Sequence, residues 1–147
     1  MTGMLRFENQ KNFFELDLTR QEVTELPSKG DAYVTLRVSS AGFVGHNDLW
    51  VACGSLREFC ASLIALERDR RGKAEIHSMS PNELLLTVRS ADSRGHMLVE
   101  GATGYHVLQR EGATLWHAVQ FGFEFEPSQL VAATSVDWVK ENAERIC

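Results

Sequence analysis

Residues 113–125 alternate. Leu115, His117, Val119, Phe121, Phe123 and Phe125 fall in one row, and Trp116, Ala118, Gln120, Gly122 and Glu124 in the other, with Glu126 continuing it. A period of two sustained over that length belongs to a strand with one face turned to a core, because a helix would scatter the same residues around its circumference. The pattern recurs. In residues 32–38, Val34, Leu36 and Val38 share a face opposite Tyr33, Thr35 and Arg37. Residues 43–52 return with Phe43, Leu49 and Val51 expected inward and Val44, His46, Asp48 and Trp50 outward, after a Ser39-Ser40-Ala41-Gly42 turn. Residues 83–90 and 96–103 form a second hairpin around Asp92-Ser93-Arg94-Gly95, residues 73–79 lead into it, and residues 13–18 read as a short early strand.

One segment breaks this rhythm. Between residues 55 and 68, Leu56, Phe59, Cys60, Leu63, Ile64 and Leu66 recur at helical spacing. Ser55-Leu56-Arg57-Glu58 matches a capping box, so the helix is expected to begin at Ser55, and Gly72 supplies a stop. Pro127 suits a first helical turn before a short helix at 128–133, and residues 135–145 read as a C-terminal helix with Val136, Val139 and Ala143 inward. Strands, one helix, more strands and terminal helices make an α+β chain rather than a β-α-β repeat. The expected architecture is a curved, mostly antiparallel β-sheet packed on one amphipathic helix, with a short C-terminal helix. It forms a single domain over residues 1–147: a loose lead-in at 1–12, a polar loop at 19–31, a sheet-and-helix core at 13–133, and the C-terminal helix at 134–147.

Composition narrows the functional classes. With 44% apolar and 24% charged residues in 147, the chain can bury a core without metal or disulfide. No apolar run approaches a membrane span, and no secretory signal opens the chain. Cys53, Cys60 and Cys147 are odd in number and widely spaced, so free thiols in a reducing, cytoplasmic setting are the expectation. A net charge of −5 argues against a nucleic-acid partner, and the one basic run, Arg68-Asp69-Arg70-Arg71, suits a helix end.

No arrangement of residues compels a reaction. There is no phosphate-binding glycine loop, no nucleophile elbow and no paired-histidine metal signature, so neither cofactor nor metal is expected. Cys53 sits near the helix start without a histidine partner fixed by sequence, and Cys60 belongs to the apolar stripe. His117 reads as a half-buried core histidine, with a shielded general base as the alternative; a pocket holding His117, or His46 with Asp48, is the small-ligand or hydrolytic reading of the chain. The outward rows instead mix aromatic and charged residues of the kind that anchor protein interfaces: Tyr33, Arg37 and Trp50 on one hairpin, and Trp116, Gln120, Glu124 and Glu126 along the last long strand. These seven are the candidate binding residues.

Several runs occur together: Ala41-Gly42-Phe43-Val44-Gly45, Leu56-Arg57-Glu58-Phe59, Arg71-Gly72-Lys73-Ala74, Ser80-Pro81-Asn82-Glu83-Leu84, Arg94-Gly95-His96, Phe121-Gly122-Phe123-Glu124 and Glu126-Pro127-Ser128-Gln129-Leu130. In this combination, over residues 30–131, the chain resembles a family of small uncharacterised bacterial proteins that is itself distantly similar to the immunity proteins of secreted and contact-dependent toxins. The resemblance implies a non-enzymatic protein-binding module inside the cell whose partner is a protein, a cognate toxin among the candidates. It carries over no catalytic residue.

Overall fold

A computed structural model describes residues 3–23 and 27–147; residues 1–2 of the expected lead-in and 24–26 of the expected loop lie outside the described residues. The order is β1 (Leu5–Asn9), β2 (Asn12–Gln21), β3 (Ala32–Ser40), β4 (Phe43–Val51), α1 (Cys53–Asp69), β5 (Lys73–His77), β6 (Leu84–Ser90), β7 (Met97–Leu108), a 3-10 turn at Arg110–Gly112, β8 (Thr114–Phe125), α2 (Gln129–Thr134) and α3 (Asp137–Ala143). The α+β class and antiparallel pairing hold, and the strands divide into two four-stranded sheets, β1-β2-β3-β4 and β5-β6-β7-β8. Their inner faces meet. Phe7 stacks on Phe125 at 4.3 Å between ring centres, and Phe14 on Phe121 at 5.5 Å. The apolar stripe of α1 (Leu56, Phe59, Cys60, Leu63, Leu66) joins the same core, packed chiefly on β5 and α3.

Two expectations about the N-terminal part of the chain change. Residues 5–9, expected to be loose, form β1, because Leu5 and Phe7 alternate inward and pair with Leu16 and Phe14. The strand expected at 13–18 runs to Gln21, past a register shift between Leu18 and Arg20. Trp138 is wholly buried in α3 beside Val139, with its indole Nε1 donating to the Gly3 carbonyl at 3.1 Å.

The helix begins earlier than its capping box implies. Ala52 is the residue before α1, and the Ser55 side chain caps nothing: its Oγ lies 3.4 Å from both the amide and the carbonyl of His77. The first-turn donor is satisfied from afar, since Asp31 Oδ1 accepts from the Cys53 amide at 2.8 Å. The helix also stops before Gly72. Arg70 takes the left-handed position at φ 59°, its amide donating to the Leu66 carbonyl at 2.8 Å and its Nε to the Glu67 carbonyl at 2.7 Å. Asp31→Ala is therefore expected to cost about 1–2 kcal/mol in a urea melt, as loss of a buried cap, and Ser55→Ala a few tenths at most. The opposite order of effects would restore Ser55 as the cap.

The thiol expectation is overturned. Cys53 and Cys147 form a disulfide across a sequence separation of 94 residues, their Cα atoms 5.8 Å apart, and only Cys60 is free, buried in the core. The bridge ties the end of the chain to the start of α1. Gly30 stands against it at φ +88°, where an added Cβ would come within 2.5 Å of the Cys53 sulfur. With two cysteines paired, the premise for a reducing, cytoplasmic setting is gone. No helix among the described residues is long and apolar enough to cross a membrane.

Candidate functional site

β3 and β4 put Tyr33, Arg37 and Trp50 on the outer face of the first sheet. The register sets Tyr33 opposite Trp50, Thr35 opposite Asp48 and Arg37 opposite His46. The Tyr33 and Trp50 rings lie 5.2 Å apart, and the Arg20 guanidinium sits 5.3 Å from the Trp50 ring centre. At exposed positions such a cation–π contact contributes about 0.5–1 kcal/mol, enough to hold the indole in one pose. Thr35 Oγ1 donates to Asp48 Oδ1 at 2.7 Å, with His46 Nε2 3.9 Å from the same oxygen. Arg6 bonds both Glu8 and Glu15, so this face is laced with paired charges around an aromatic corner.

Trp116, Gln120 and Glu124 line up on the outer face of the second sheet, opposite His106, Ala102 and Leu98 of β7. The Trp116 and His106 rings meet edge to face at 4.9 Å. Beneath the indole lies Gly104, where a Cβ would fall 2.4 Å from Trp116 Cζ2 and 2.7 Å from the His117 carbonyl. Only a glycine lets the indole pack against the backbone there. Its edge borders a groove of about 540 Å³ against the Ser80-Pro81-Asn82-Glu83 turn. Glu126 follows the strand and, with Glu124, Glu8 and His96, lines a smaller cleft of about 360 Å³. His96 Nδ1 lies 2.6 Å from Asp92 Oδ2; that bond raises the His96 pKa above its ordinary value and lowers that of Asp92.

The seven sequence candidates thus form two groups on the outer faces of different sheets, three on the first and four on or beside the second. The alternating row of β8 has a different fate from the one expected. Phe121, Phe123 and Phe125 are buried, whereas Leu115 and His117 are exposed. β6 pairs with β7 only as far as Thr103, but β7 and β8 continue together to Leu108 and Thr114. The hairpin therefore projects as a two-stranded arm beyond the sandwich, and His117 is a surface histidine, its Nδ1 3.2 Å from the Leu115 carbonyl. Phe43, expected inward, is exposed for a similar reason: it follows directly on the Ala41–Gly42 turn at the tip of the first sheet.

Sequence reasoning missed the apolar character of this end. Tyr105, Leu108 and Leu115 on the arm and Phe43 and Val44 on the β4 tip are all exposed. The available signal was the alternation of Tyr105 and Val107 beyond residue 103, where the second hairpin was expected to end. Between the arm and β4 runs a cleft of about 480 Å³ that brings His46 and His117 to one place. Among the described residues no three His, Cys, Asp or Glu side chains are grouped to hold a metal ion.

No curated protein and no solved structure matches the chain. The family described as the immunity protein WapI-like family matches residues 4–137, which takes in both sheets, α1 and α2 and reaches the first residue of α3. Over that span, the chain belongs to the WapI-like immunity protein family.

Proposed function

We propose that this chain binds and neutralises a cognate toxin through the outer face of its second sheet, centred on Trp116, acting by occupation of the toxin surface and not by chemistry. Family membership supports a protein partner. The observation that carries the choice of face is the pose of Trp116: 41% exposed, packed against Gly104 and braced by His106. An indole already held in one orientation loses little freedom on binding, and buried tryptophans are among the residues that dominate interface energies. Gln120 and Glu124 extend the same file with hydrogen-bonding and acidic groups. Glu124, Glu126 and the net charge of −5 suit a basic partner, with charge acting mainly on encounter rate.

The test is calorimetric titration of the protein against its purified cognate toxin. Trp116→Ala is expected to weaken binding by about 2 kcal/mol or more, roughly 30-fold in Kd. Glu124→Lys with Glu126→Lys is expected to slow association with the fold intact. Unchanged affinity in Trp116→Ala would remove this face from the interface.

The cleft shared by His46 and His117 supports a second reading, a small-ligand site. His117→Gln separates the two: it leaves toxin affinity unchanged under the first reading and abolishes activity in a folded protein under the second.

A further inference from the structure

Each of the outermost strands is closed at one point by a contact from outside its sheet. On β1, the Gln129 carboxamide accepts from the Glu8 amide and donates to the Glu8 carbonyl, both at 2.8 Å. On β5, Ser55 Oγ spans the amide and carbonyl of His77. On β8, Ser40 Oγ lies 3.3 Å from the Gly122 carbonyl and 3.4 Å from its amide. On β4, the Trp50 carbonyl receives the Met79 amide at 2.9 Å. Each contact takes up backbone groups to which a foreign strand could otherwise pair.

On β8 that closure reaches no further than Gly122. Because the Gly122 amide and carbonyl turn away from β7 toward Ser40, antiparallel alternation turns those of Gln120, Ala118 and Trp116 the same way. The Gly104 amide, opposite Ala118, agrees: it points away from β8 and donates to the Glu83 carbonyl at 3.2 Å. Among the described residues no hydrogen bond reaches these outward groups. The stretch Thr114-Leu115-Trp116-His117-Ala118-Val119-Gln120 holds no Asp, Glu, Lys, Arg, Pro or Gly, the residues that ordinarily blunt an open edge.

We propose that this edge pairs antiparallel with the same edge of a second copy about a two-fold axis, joining two four-stranded sheets into one of eight strands. The lack of charge selects the occupant. A chain of net charge −5 meets itself with least repulsion where it carries no carboxylates, and residues 114–120 are such a place, whereas a basic partner is drawn to the acidic residues Glu124 and Glu126. The edge is flanked by exposed apolar side chains: Leu115 is 56% exposed and Tyr105 44%, both on the face of the arm away from Trp116. A two-fold pairing also yields the commonest closed oligomer and leaves the outer face bearing Trp116 open on both copies.

Sedimentation of the protein alone tests this across the micromolar to sub-millimolar range. Wild type is expected at twice the 16.5 kDa chain mass. Ala118→Pro removes an amide donor that faces the open edge and leaves the bonds to β7 in place; Leu115→Lys puts a charge beside that edge at an exposed position. Both are expected at the monomer mass with unchanged circular dichroism, and Leu115→Lys decides alone if the proline variant unfolds. A monomeric wild type overturns the proposal, as does a dimer that survives Leu115→Lys. A monomer whose Trp116, Ala118 and Gln120 amides gain exchange protection only when toxin is added overturns it too, and gives the edge to the toxin.

Discussion

Trp138→Ala is expected to lower the unfolding free energy by about 3–5 kcal/mol, the cost of truncating a large aromatic in a packed core. The indole has no solvent exposure. It sits in α3, which packs on α1, and its removal strips the core of a ring, leaves the Gly3 carbonyl without its donor and opens a cavity that the surrounding core residues only partly fill. Asn142 is buried beside it, donating to the Trp138 carbonyl at 2.8 Å and accepting from Gln21 Nε2 at 2.7 Å, so a shift of α3 also disturbs that polar network. Urea melts measure the effect. Ile146→Ala, at an almost fully exposed position, serves as the control and is expected within about 0.5 kcal/mol of wild type. A Trp138→Ala loss below about 1 kcal/mol would mean that α3 does not dock as described.

Opening the Cys53–Cys147 bridge is the other large effect. A cross-link spanning 94 residues removes on the order of 4–5 kcal/mol of unfolded-chain entropy in the loop-closure picture, so Cys147→Ser is expected to lose about that much at most. Melts of wild type with and without reductant should differ by the same amount, while Cys147→Ser should be insensitive to reductant. Thiol counting gives a second readout. The denatured, unreduced protein is expected to show one reactive thiol, Cys60. In the native state even that group stays silent near neutral pH, because burial pushes its pKa up to about 12 and thiolate is the reactive form. Three reactive thiols in the denatured, unreduced protein would dissolve the bridge and return the reducing setting that cysteine spacing alone suggested.

These two predictions rest on residues that sequence patterning treated unevenly. Trp138 lies in a segment that reads as helical with Val136, Val139 and Ala143 on its buried face, and a tryptophan between them carries no sign of which way it points. Burial comes from docking against α1, whose nearest residue is 69 positions from Trp138 in sequence. The bridge was further from reach. Pairing two cysteines requires their Cα atoms to approach, and nothing local to Cys53 or Cys147 encodes the 5.8 Å that the folded chain provides.

Strand and turn positions were legible because their causes are local. Alternation in residues 32–38, 84–90 and 113–125 marks which side chains share a face, and the small, flexible turn residues between them do the reversing, as at Ala41 and Gly42, both at positive φ. The same parity put Trp116, Gln120 and Glu124 in one file, and Tyr33 and Trp50 on one face. The helix stripe from Leu56 to Leu66 was equally local. Its cap was not, since Asp31 arrives from 22 residues upstream and displaces the Ser55 box that the sequence displays. Parity also says nothing about coverage: a row such as Leu115, His117, Val119, Phe121, Phe123 and Phe125 looks the same whether an opposing sheet spans all of it or half. Only the tertiary structure decided that β1 to β4 cover the phenylalanines and stop short of Leu115 and His117, that the strands form two sheets, and that Ser40, Ser55 and Gln129 close strand edges while residues 114–120 stay open. Those outcomes depend on where separate elements come to rest against one another, a long-range property that no window of sequence contains.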